Sequence, residues 1–573
     1  MEDGMGLKNK KGWKVLCLGF DGATLDLIQP WVDAGKLPTF KRVMDSGSFG
    51  ELESVIQPCS AQAWTSFMTG KNPGKHGIFG FRKQLPGSYR HEFVNGGMVA
   101  SQKIWDILSE SGKQVFVMNI PLTYPPSPVN GCLVSGMDTP GTDSNFTYPA
   151  ELKQELMEVT NGQYVITVHL GGYLTSDKKR EKAVQKLLDM AEQRTTAALH
   201  FLKTRSWDFA AVKYDIPDQA HHYFWKYMNR DGEGRFDHAI YRVYLKLDEI
   251  LDRFLKEMDD RTVLILVSDH GGGPHSGKVV YVNEWLRRQG LLSAPFNGRN
   301  GRGRKVAPVF KKLSRRTVHW LYYVVLLRAL GDQSKDLLWR LFPGLRSGVS
   351  NYLKFSALDW KNTRAHLGGN LDEIRLNVKG RDPEGIVEPG AEYERLREKI
   401  ISGLQSIKDP ETEAPIFQRI YKKEEVYKGE YLDEAPDLFL VPQDYAYSLR
   451  RDLFSDDSAP LVARRKHQKG ISGIHRMNGI IFLCGQPVKK RHKLLKARII
   501  DVAPSILHLM GHPVPDDVDG VVLTEAFDQA FTDQSAVRYV KSQGGQRGET
   551  KSVYTDEEAE TIKAHLRGLG YID

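Results

Sequence analysis

WKVLCLGFDG, residues 13–22, is an apolar run that ends in an aspartate and a glycine. A continuous apolar run of this kind is typical of a strand buried on both faces of a parallel sheet. Similar runs recur further along the chain, as QVFVMNI (114–120), DFAAVKY (208–214), TVLILV (262–267) and GIIFLC (479–484). These runs predict the strands of one buried sheet.

Segments with helical spacing of apolar residues lie between and after these runs, at 183–203, 237–258, 391–407 and 501–511. Strands that alternate with helices predict an α/β protein with a mostly parallel central sheet flanked by helices. Ligands of such sheets bind beyond the carboxyl ends of the strands. Asp21, Asp218 and Asp269 each follow an apolar run closely, so we expect them at that edge.

Composition and charge narrow the class of protein. The 573 residues are 40% hydrophobic and 26% charged, as in ordinary globular proteins. The first dozen residues lack the apolar centre of a secretory signal, and no run reaches the roughly 20 apolar residues of a membrane span. The four cysteines are scattered without CxxC spacing, which argues against a disulfide framework or a thiolate zinc site. We therefore expect a cytoplasmic enzyme.

The net charge of +9 comes from one segment. Residues 299–346 hold twelve Lys/Arg against two Asp, which leaves the rest of the chain near minus one. No recognisable nucleic-acid module accompanies this charge. We interpret 295–350 as a basic helical insertion that serves as a lid, a partner surface or, through 299–346, a peripheral membrane contact. The alternative is the solvated flank of an ordinary helical cap.

The insertion at 295–350 divides the chain into the predicted parts. The first part of the core spans 13–294, and the insertion spans 295–350. The second part of the core spans 351–527, and a polar tail with a terminal helix spans 528–573.

Two motifs offer metal-ligand side chains. Asp218 and His222, in DIPDQAHH, are four residues apart and lie on one side of a helix. Asp269 and His270, in LVSDHGGG, close an apolar strand ahead of three glycines. Oxygen and nitrogen ligands of this type suit divalent metals such as zinc. The alternatives are a chance surface pair at 218–222 and a turn with an aspartate cap at 269–270.

Ser60 lies in QPCSAQAWTSFMTG, ahead of a predicted helix. A serine needs a base or a metal to act as a nucleophile, and the GxSxG pattern of serine hydrolases is absent. Metal activation is therefore the better explanation, and a plain helix cap is the alternative. The neighbouring Cys59 lacks the Cys-x-Pro-x-Arg pattern of formylglycine sulfatases.

Together these motifs resemble the alkaline phosphatase superfamily, in its branch of type I phosphodiesterases and nucleotide pyrophosphatases. The likeness runs from about residue 13 to about 525 and leaves 295–350 unmatched. It is carried by FDGAT (20–24), S-x(8)-T-G-x-x-P-x-x-H-G-I (60–78), D-x-x-x-H (218–222), SDHGG (268–272), GIHRMNGII (473–481) and DVAPSILHLMG (501–511) followed by VPDDVDG (514–520).

The resemblance implies an alkaline phosphatase-like core and two divalent metal ions, with zinc favoured over manganese or iron. One ion would be held by Asp218, His222 and His475. The other would be held by Asp21, Asp269, His270 and the hydroxyl of Ser60. Ser60 would be the metal-activated nucleophile and would form a covalent phosphoserine intermediate.

The chain departs from the family pattern at the position of a phosphate-binding asparagine. Gly80 and Phe81 stand there, and the candidate substitutes are Arg82, Lys83 and Asn119. The arginine with which alkaline phosphatase holds a phosphomonoester has no counterpart that we recognise. The motif neighbours His76, His221 and His275 are expected to be structural residues or bystanders.

These features predict a metal-dependent hydrolase of phosphodiester or pyrophosphate bonds that acts on a small phosphoester, with a nucleotide-like molecule as the first candidate. The alternative is a phosphotransferase that moves a phospho-head group between a lipid or glycan and an acceptor. A phosphomonoesterase and a catalytically silent metal-binding protein rank below both.

Overall fold

The central sheet sets the position of the functional residues. The structure is a computed structural model that describes residues 12–228, 236, 238–294, 358–370, 372–454, 458–464, 471–542, 544 and 553–568. From one edge to the other, the described strands of this sheet are β20 (His492–Arg498), β2 (Gly47–Glu53), β19 (Asn478–Cys484), β9 (Thr262–Val267), β1 (Lys14–Phe20), β8 (Phe209–Tyr214), β5 (Val115–Met118), β6 (Gly131–Val134) and β7 (Thr147–Tyr148).

The middle of this sheet is parallel. β9, β1, β8, β5 and β6 run in one direction, and β2 is parallel to β20. β19 runs antiparallel between β9 and β2, and β7 is antiparallel to β6. Residues 15–18 of β1 are all buried, as expected where successive side chains point to opposite covered faces. The predicted α/β class with a mostly parallel sheet is confirmed.

Helices pack around the central sheet and against one another. The described helices are α1 (Leu25–Asp33), α2 (Pro38–Ser46), α3 (Ser60–Thr69), α4 (Pro73–His76), α5 (Ile104–Glu110), α6 (Leu152–Val159), α7 (Asp177–Thr204), α8 (Ile216–Phe224), α9 (Ala239–Lys256), α10 (Val282–Arg288), α11 (Ala391–Gln405), α12 (Lys423–Val426), α13 (Val502–Leu509), α14 (Gln529–Gln534) and α15 (Asp556–Gly568). α7, α8 and α9 pack together, and α2 packs on α9. Among the described residues, none of these helices is long and apolar enough to cross a bilayer.

A second sheet forms between β9 and β19 of the chain. It is antiparallel and consists, in order, of β12 (Ala365–Leu367), β13 (Glu373–Leu376), β15 (Leu438–Pro442) and β14 (Phe417–Lys422). It has its own apolar core, to which α11 contributes Ile400 and Leu404. Much of the predicted second core part therefore lies in a separate sheet, and the chain returns to the central sheet at β19. The proposed domain boundaries stay a prediction, and the segment 295–350 lies outside the described residues.

Short strands complete the description. β10 (Gly271–Pro274) pairs with β18 (Gly473–Arg476) as an antiparallel ribbon at the carboxyl end of β9. The others are β3 (Arg82–Gln84) with β4 (His91–Phe93), β21 (Val514–Pro515) with β22 (Tyr539–Val540), and β11 (Lys278–Tyr281) between β16 (Ser448–Arg450) and β17 (Val462–Arg464).

Candidate metal centre

The first ligand set consists of Asp218, His222 and His475. Asp218 and His222 lie one turn apart on α8, and β18 brings His475 to them. The Asp218 Oδ1 atom is 3.3 Å from His222 Nε2 and 3.4 Å from His475 Nε2, and the two Nε2 atoms are 3.1 Å apart. Three ligand atoms therefore converge on one point, in the arrangement that a metal ion requires.

Hydrogen bonds hold both histidines of this set in the ligating form. His222 Nδ1 lies 3.0 Å from the Gly473 carbonyl, and His475 Nδ1 lies 2.8 Å from the Pro58 carbonyl. Because a carbonyl only accepts, each Nδ1 carries the proton, and in the neutral ring Nε2 keeps its lone pair. Burial, with the neighbouring His270, lowers the pKa of His475 to about 4, which favours the neutral ring. Burial also disfavours charge on His222, but Asp218 outweighs it and raises the pKa of His222, so a bound cation would replace a proton there.

The second ligand set consists of Asp21, Asp269 and His270. β1 and β9 are parallel neighbours, so the residues that follow them meet at the same edge of the sheet. His270 Nε2 is 3.5 Å from Asp21 Oδ1 and 3.4 Å from Asp269 Oδ2, and its Nδ1 lies 3.0 Å from the Gly271 carbonyl. All three side chains are almost completely buried.

Unsatisfied carboxylate oxygens show that this second set suits a cation. Asp21 Oδ1 and both oxygens of Asp269 are buried and lack a close hydrogen-bond donor among the described residues, apart from the Ser60 hydroxyl that interacts with Asp269. Burying a carboxylate without compensation is costly, and a metal ion is one way to compensate it. Burial and the nearby Asp21 raise the pKa of Asp269 well above its usual range, as expected for a charge that lacks its counterion. The donors present therefore fit a divalent metal.

The two ligand sets adjoin each other. The rings of His270 and His475 stack with centroids 3.9 Å apart, and the Asp218 backbone N–H donates to the Asp21 carbonyl at 3.0 Å. Gly22 permits this approach: its φ is +74°, and an added Cβ would lie 2.9 Å from the Asp218 Cβ. The arrangement brings together the six carboxylate and imidazole ligands that the sequence predicted.

Ser60 borders the second set. It is the first residue of α3 and is fully buried, and its Oγ lies 3.3 Å from His270 Nε2. The amino end of a helix favours negative charge, so the site suits a developing alkoxide or a phosphate oxygen. Burial raises the pKa of the adjacent Cys59 thiol to about 12, so Cys59 stays protonated and is a poor nucleophile.

Comparisons with known proteins identify the family of the chain. The family model of type I phosphodiesterases and nucleotide pyrophosphatases matches residues 15–468. The chain belongs to this family. It is thus a hydrolase of the phosphodiesterase and nucleotide pyrophosphatase type, from a family of metal-dependent enzymes that act on small phosphoesters. No curated protein sequence matches the chain.

Several solved structures are similar to the chain. Phosphonoacetate hydrolase from Sinorhizobium meliloti 1021, in complex with phosphonoformate, is 14% identical with a TM-score of 0.50, over 86% of this chain and 94% of that one. Human ectonucleotide pyrophosphatase/phosphodiesterase 5 is 13% identical with a TM-score of 0.46, over 87% and 95%. An inactive variant of the murine protein, in complex with AMP, is 12% identical with a TM-score of 0.44 over the same shares.

One residue beside the ligands escaped the sequence reasoning. Lys213, next to the carboxyl end of β8, is buried, and its Nζ lies 2.5 Å from Asp21 Oδ2. Burial opposes its charge, but Asp21 and Asp215 outweigh burial and raise the pKa of Lys213 above its ordinary value. The available signal was a lysine inside the otherwise apolar run DFAAVKY of this type I phosphodiesterase family member.

The three candidate phosphate-binding residues contact other groups. Lys83 pairs with Glu434 at 2.9 Å, and Asn119 accepts a hydrogen bond from Tyr164 at 2.6 Å. The guanidinium of Arg82 stacks on Phe93, with its carbon 5.5 Å from the ring centroid. Their role as substitutes for the family's asparagine therefore stays a prediction without support from these contacts.

Asn370 contacts the segment that contains Gly80. Its amide lies against Gly80, so that an added Cβ there would meet it at 2.4 Å. The same amide donates to the Arg82 carbonyl at 3.1 Å and accepts from the Arg82 N–H at 3.1 Å. Asn370 therefore joins the second sheet to the segment that follows the HGI block.

The motif-adjacent histidines hydrogen bond outside both ligand sets. His76 Nε2 lies 3.0 Å from Ser66 Oγ, and His221 Nε2 lies 3.2 Å from the Tyr244 hydroxyl. His275 Nε2 lies 2.7 Å from Ser448 Oγ. These contacts agree with the structural roles expected for the three residues.

Proposed function

We propose that this chain is a metal-dependent hydrolase of phosphodiester or pyrophosphate bonds, in which Ser60 is the nucleophile and a nucleotide-like molecule is the first candidate substrate. The observation that supports this proposal is the convergence of Ser60 with buried carboxylate oxygens that have no close hydrogen-bond donor among the described residues other than Ser60 itself. A plain helix cap would not require those oxygens beside it.

The ligand sets define the cofactor that we propose. Each set combines carboxylate oxygen with imidazole nitrogen, donors that suit zinc, so we propose two Zn²⁺ ions. When bound, such a pair supplies Lewis-acid stabilisation of the attacking and leaving oxygens of an in-line displacement.

The protein groups then have distinct tasks. Ser60 Oγ attacks phosphorus and gives up its proton, a phosphoserine ester forms, and the bond from phosphorus to the leaving oxygen breaks as that oxygen takes up a proton. Water then attacks the phosphoserine, which releases the phosphate product and restores the Ser60 hydroxyl with its proton. The amino end of α3 favours the negative charge of the phosphate through both steps. His475 and His222 stay fixed by their Nδ1 hydrogen bonds, so the first ligand set, which we propose stabilises the leaving oxygen, keeps its geometry.

The test combines metal removal with a nucleophile variant. Purified protein is stripped by a chelator and assayed with nitrophenyl phosphate, bis-nitrophenyl phosphate and a nitrophenyl nucleotide ester, before and after addition of Zn²⁺ or Mn²⁺. We expect activity only with metal, and a loss of at least about 10³-fold in Ser60→Ala. Comparing the three esters shows the substrate preference.

Ser66→Ala is the matched control. It removes a hydroxyl from the same helix, where Ser66 contacts His76 outside both ligand sets. We expect this variant to keep activity within a few fold of the wild type. Activity that survives both chelation and Ser60→Ala would contradict the proposal.

A further inference from the structure

Lys213 contacts a ligand residue of the second set from inside the central sheet. Its Nζ lies 2.5 Å from Asp21 Oδ2, and the Trp64 indole N–H donates to the same oxygen at 3.3 Å. Two donors therefore occupy Oδ2 of Asp21. The other oxygen, Oδ1, accepts no hydrogen bond from the described residues.

Asp269 provides the contrast. It belongs to the same ligand set and is equally buried, yet among the described residues no lysine or arginine forms an ion pair with either of its oxygens, and the Ser60 hydroxyl is the donor that interacts with it. Burial alone therefore does not explain why one oxygen of Asp21 is occupied. The difference between the two carboxylates follows from Lys213 and Trp64.

The lysine is itself held in place. Its Nζ also pairs with Asp215, which pairs with the buried Arg194 at 3.2 Å. Arg194 in turn donates to the Lys213 carbonyl at 2.6 Å and to the Ile166 carbonyl at 2.7 Å. A buried chain of alternating charges thus fixes the ammonium group, which would otherwise be costly to bury.

A glycine of the neighbouring strand β1 leaves space for Lys213 and Trp64. Gly19 of β1 faces both Lys213 and Trp64, and a Cβ added there would lie 2.4 Å from Trp64 Cη2 and 3.2 Å from Lys213 Cγ. Any larger residue at this position would displace the indole from Asp21. Gly19 and the buried charges of Asp215 and Arg194 therefore both help to hold the donors on Asp21 Oδ2.

We propose that Lys213 is a positioning residue that leaves Asp21 only Oδ1 for the metal, so that the second ligand set favours an ion of low coordination number. Zinc accepts four ligands in tetrahedral sites, whereas Mn²⁺ suits oxygen-rich sites of higher coordination. Single-oxygen ligation by Asp21 therefore favours Zn²⁺ over Mn²⁺. This inference rests on the metal centre of the proposed function.

The test measures metal preference in Lys213→Met. Metal-free protein is titrated with Zn²⁺ and with Mn²⁺ against a chromophoric chelator, and Co²⁺-loaded protein is examined by visible absorption. We expect the variant to bind two ions per chain, with its preference for zinc at one of the two sites lowered about tenfold or more. We also expect weaker Co²⁺ absorption, because a second Asp21 oxygen raises the coordination number.

Lys71→Met is the matched control. Lys71 is also a buried lysine, but it pairs with Asp517 at 2.5 Å, away from both ligand sets. We expect that variant to lose stability and keep the zinc preference of the wild type. A loss of activity alone would not count as support, since any structural damage could cause it.

A crystal structure of the zinc-loaded wild type tests the same point without a variant. It is the deciding measurement in the case that Lys213→Met does not fold. We expect Asp21 to ligate through Oδ1 alone while Oδ2 keeps its contact with Lys213. Ligation through both oxygens, or an unchanged zinc preference in a folded Lys213→Met, would overturn this inference and leave the proposed function standing. A wild type that binds no metal would overturn both.

Discussion

Asp269→Asn separates the stability of the protein from its metal binding. In the metal-free protein, Asp269 is buried beside Asp21 and has no ion pair with a lysine or arginine among the described residues. Burial and Asp21 raise its pKa, and the Ser60 hydroxyl offsets this only in part, so Asp269 carries either a poorly compensated charge or a proton that it would not hold in water. Both states cost free energy, and a neutral amide has neither a charge to bury nor a proton to take up.

The change in the free energy of unfolding caused by Asp269→Asn should have opposite signs in chelator and in saturating zinc. A pKa difference of one unit between the folded and unfolded states corresponds to about 1.4 kcal/mol, so in chelator we expect Asp269→Asn, which has no ionisable group there, to raise the free energy of unfolding by about 1 kcal/mol or more. An ion present at about 1,000 times its Kd stabilises the native state by roughly 4 kcal/mol. In saturating zinc the variant forgoes this contribution at the second set, so we expect it to be less stable than the wild type.

Urea unfolding followed by fluorescence, with chelator and with zinc, measures both differences. Asp433→Asn is the control, because Asp433 is fully exposed and its ion pair with Lys423 spans 3.8 Å. We expect that control to shift stability by less than about 0.5 kcal/mol in either condition. A difference of the same sign for Asp269→Asn with and without zinc would refute the reasoning.

Two further substitutions test the surroundings of the site. Gly22→Ala and Gly35→Ala both place a side chain at positive φ, which costs about 1–2 kcal/mol, but only Gly22 faces Asp218, whereas nothing lies within 4 Å of Gly35. We expect calorimetry to show weaker metal binding in Gly22→Ala alone, and equal binding in both variants would contradict the assigned role of Gly22. Glu373→Gln tests a buried carboxyl whose pKa burial raises to about 8. Because the folded state keeps a proton that the unfolded state releases above its ordinary pKa of 4.5, Glu373 lowers stability progressively as pH rises from about 4.5 to about 8. We expect the stability of Glu373→Gln relative to the wild type to increase over that range in urea titrations, and a flat difference would show that Glu373 ionises normally.

The strands of the sheet core could be predicted because burial on both faces leaves a continuous apolar run. The run at 262–267 coincides with β9, and those at 114–120 and 208–214 differ from β5 and β8 by one or two residues. Strand β20, at one edge of the sheet, and its neighbour β2 were missed. They carry glycines or alternate exposed with buried residues, and their pattern does not separate them from loops.

Long-range partners mark the limit of the sequence. The ligands could be predicted because each stands in a short motif, but the role of Lys213 depends on Asp21, which β1 brings beside it from a distant part of the chain. A lysine in an apolar strand is otherwise an unexplained exception. The separate sheet formed by β12 to β15 was likewise hidden, because its short strands show no pattern that assigns them to one sheet or another.

The ribbon of β10 and β18 has a consequence for biosynthesis. His475 completes the first ligand set from 253 residues beyond His222 in the chain. Because chains emerge from the ribosome amino end first, a growing polypeptide lacks this ligand until synthesis has passed residue 475. A product that terminates earlier, or a nascent chain that has already folded its parallel strands, would hold two of the three groups and no complete first site. Hydrolytic capacity would therefore arise only late in translation.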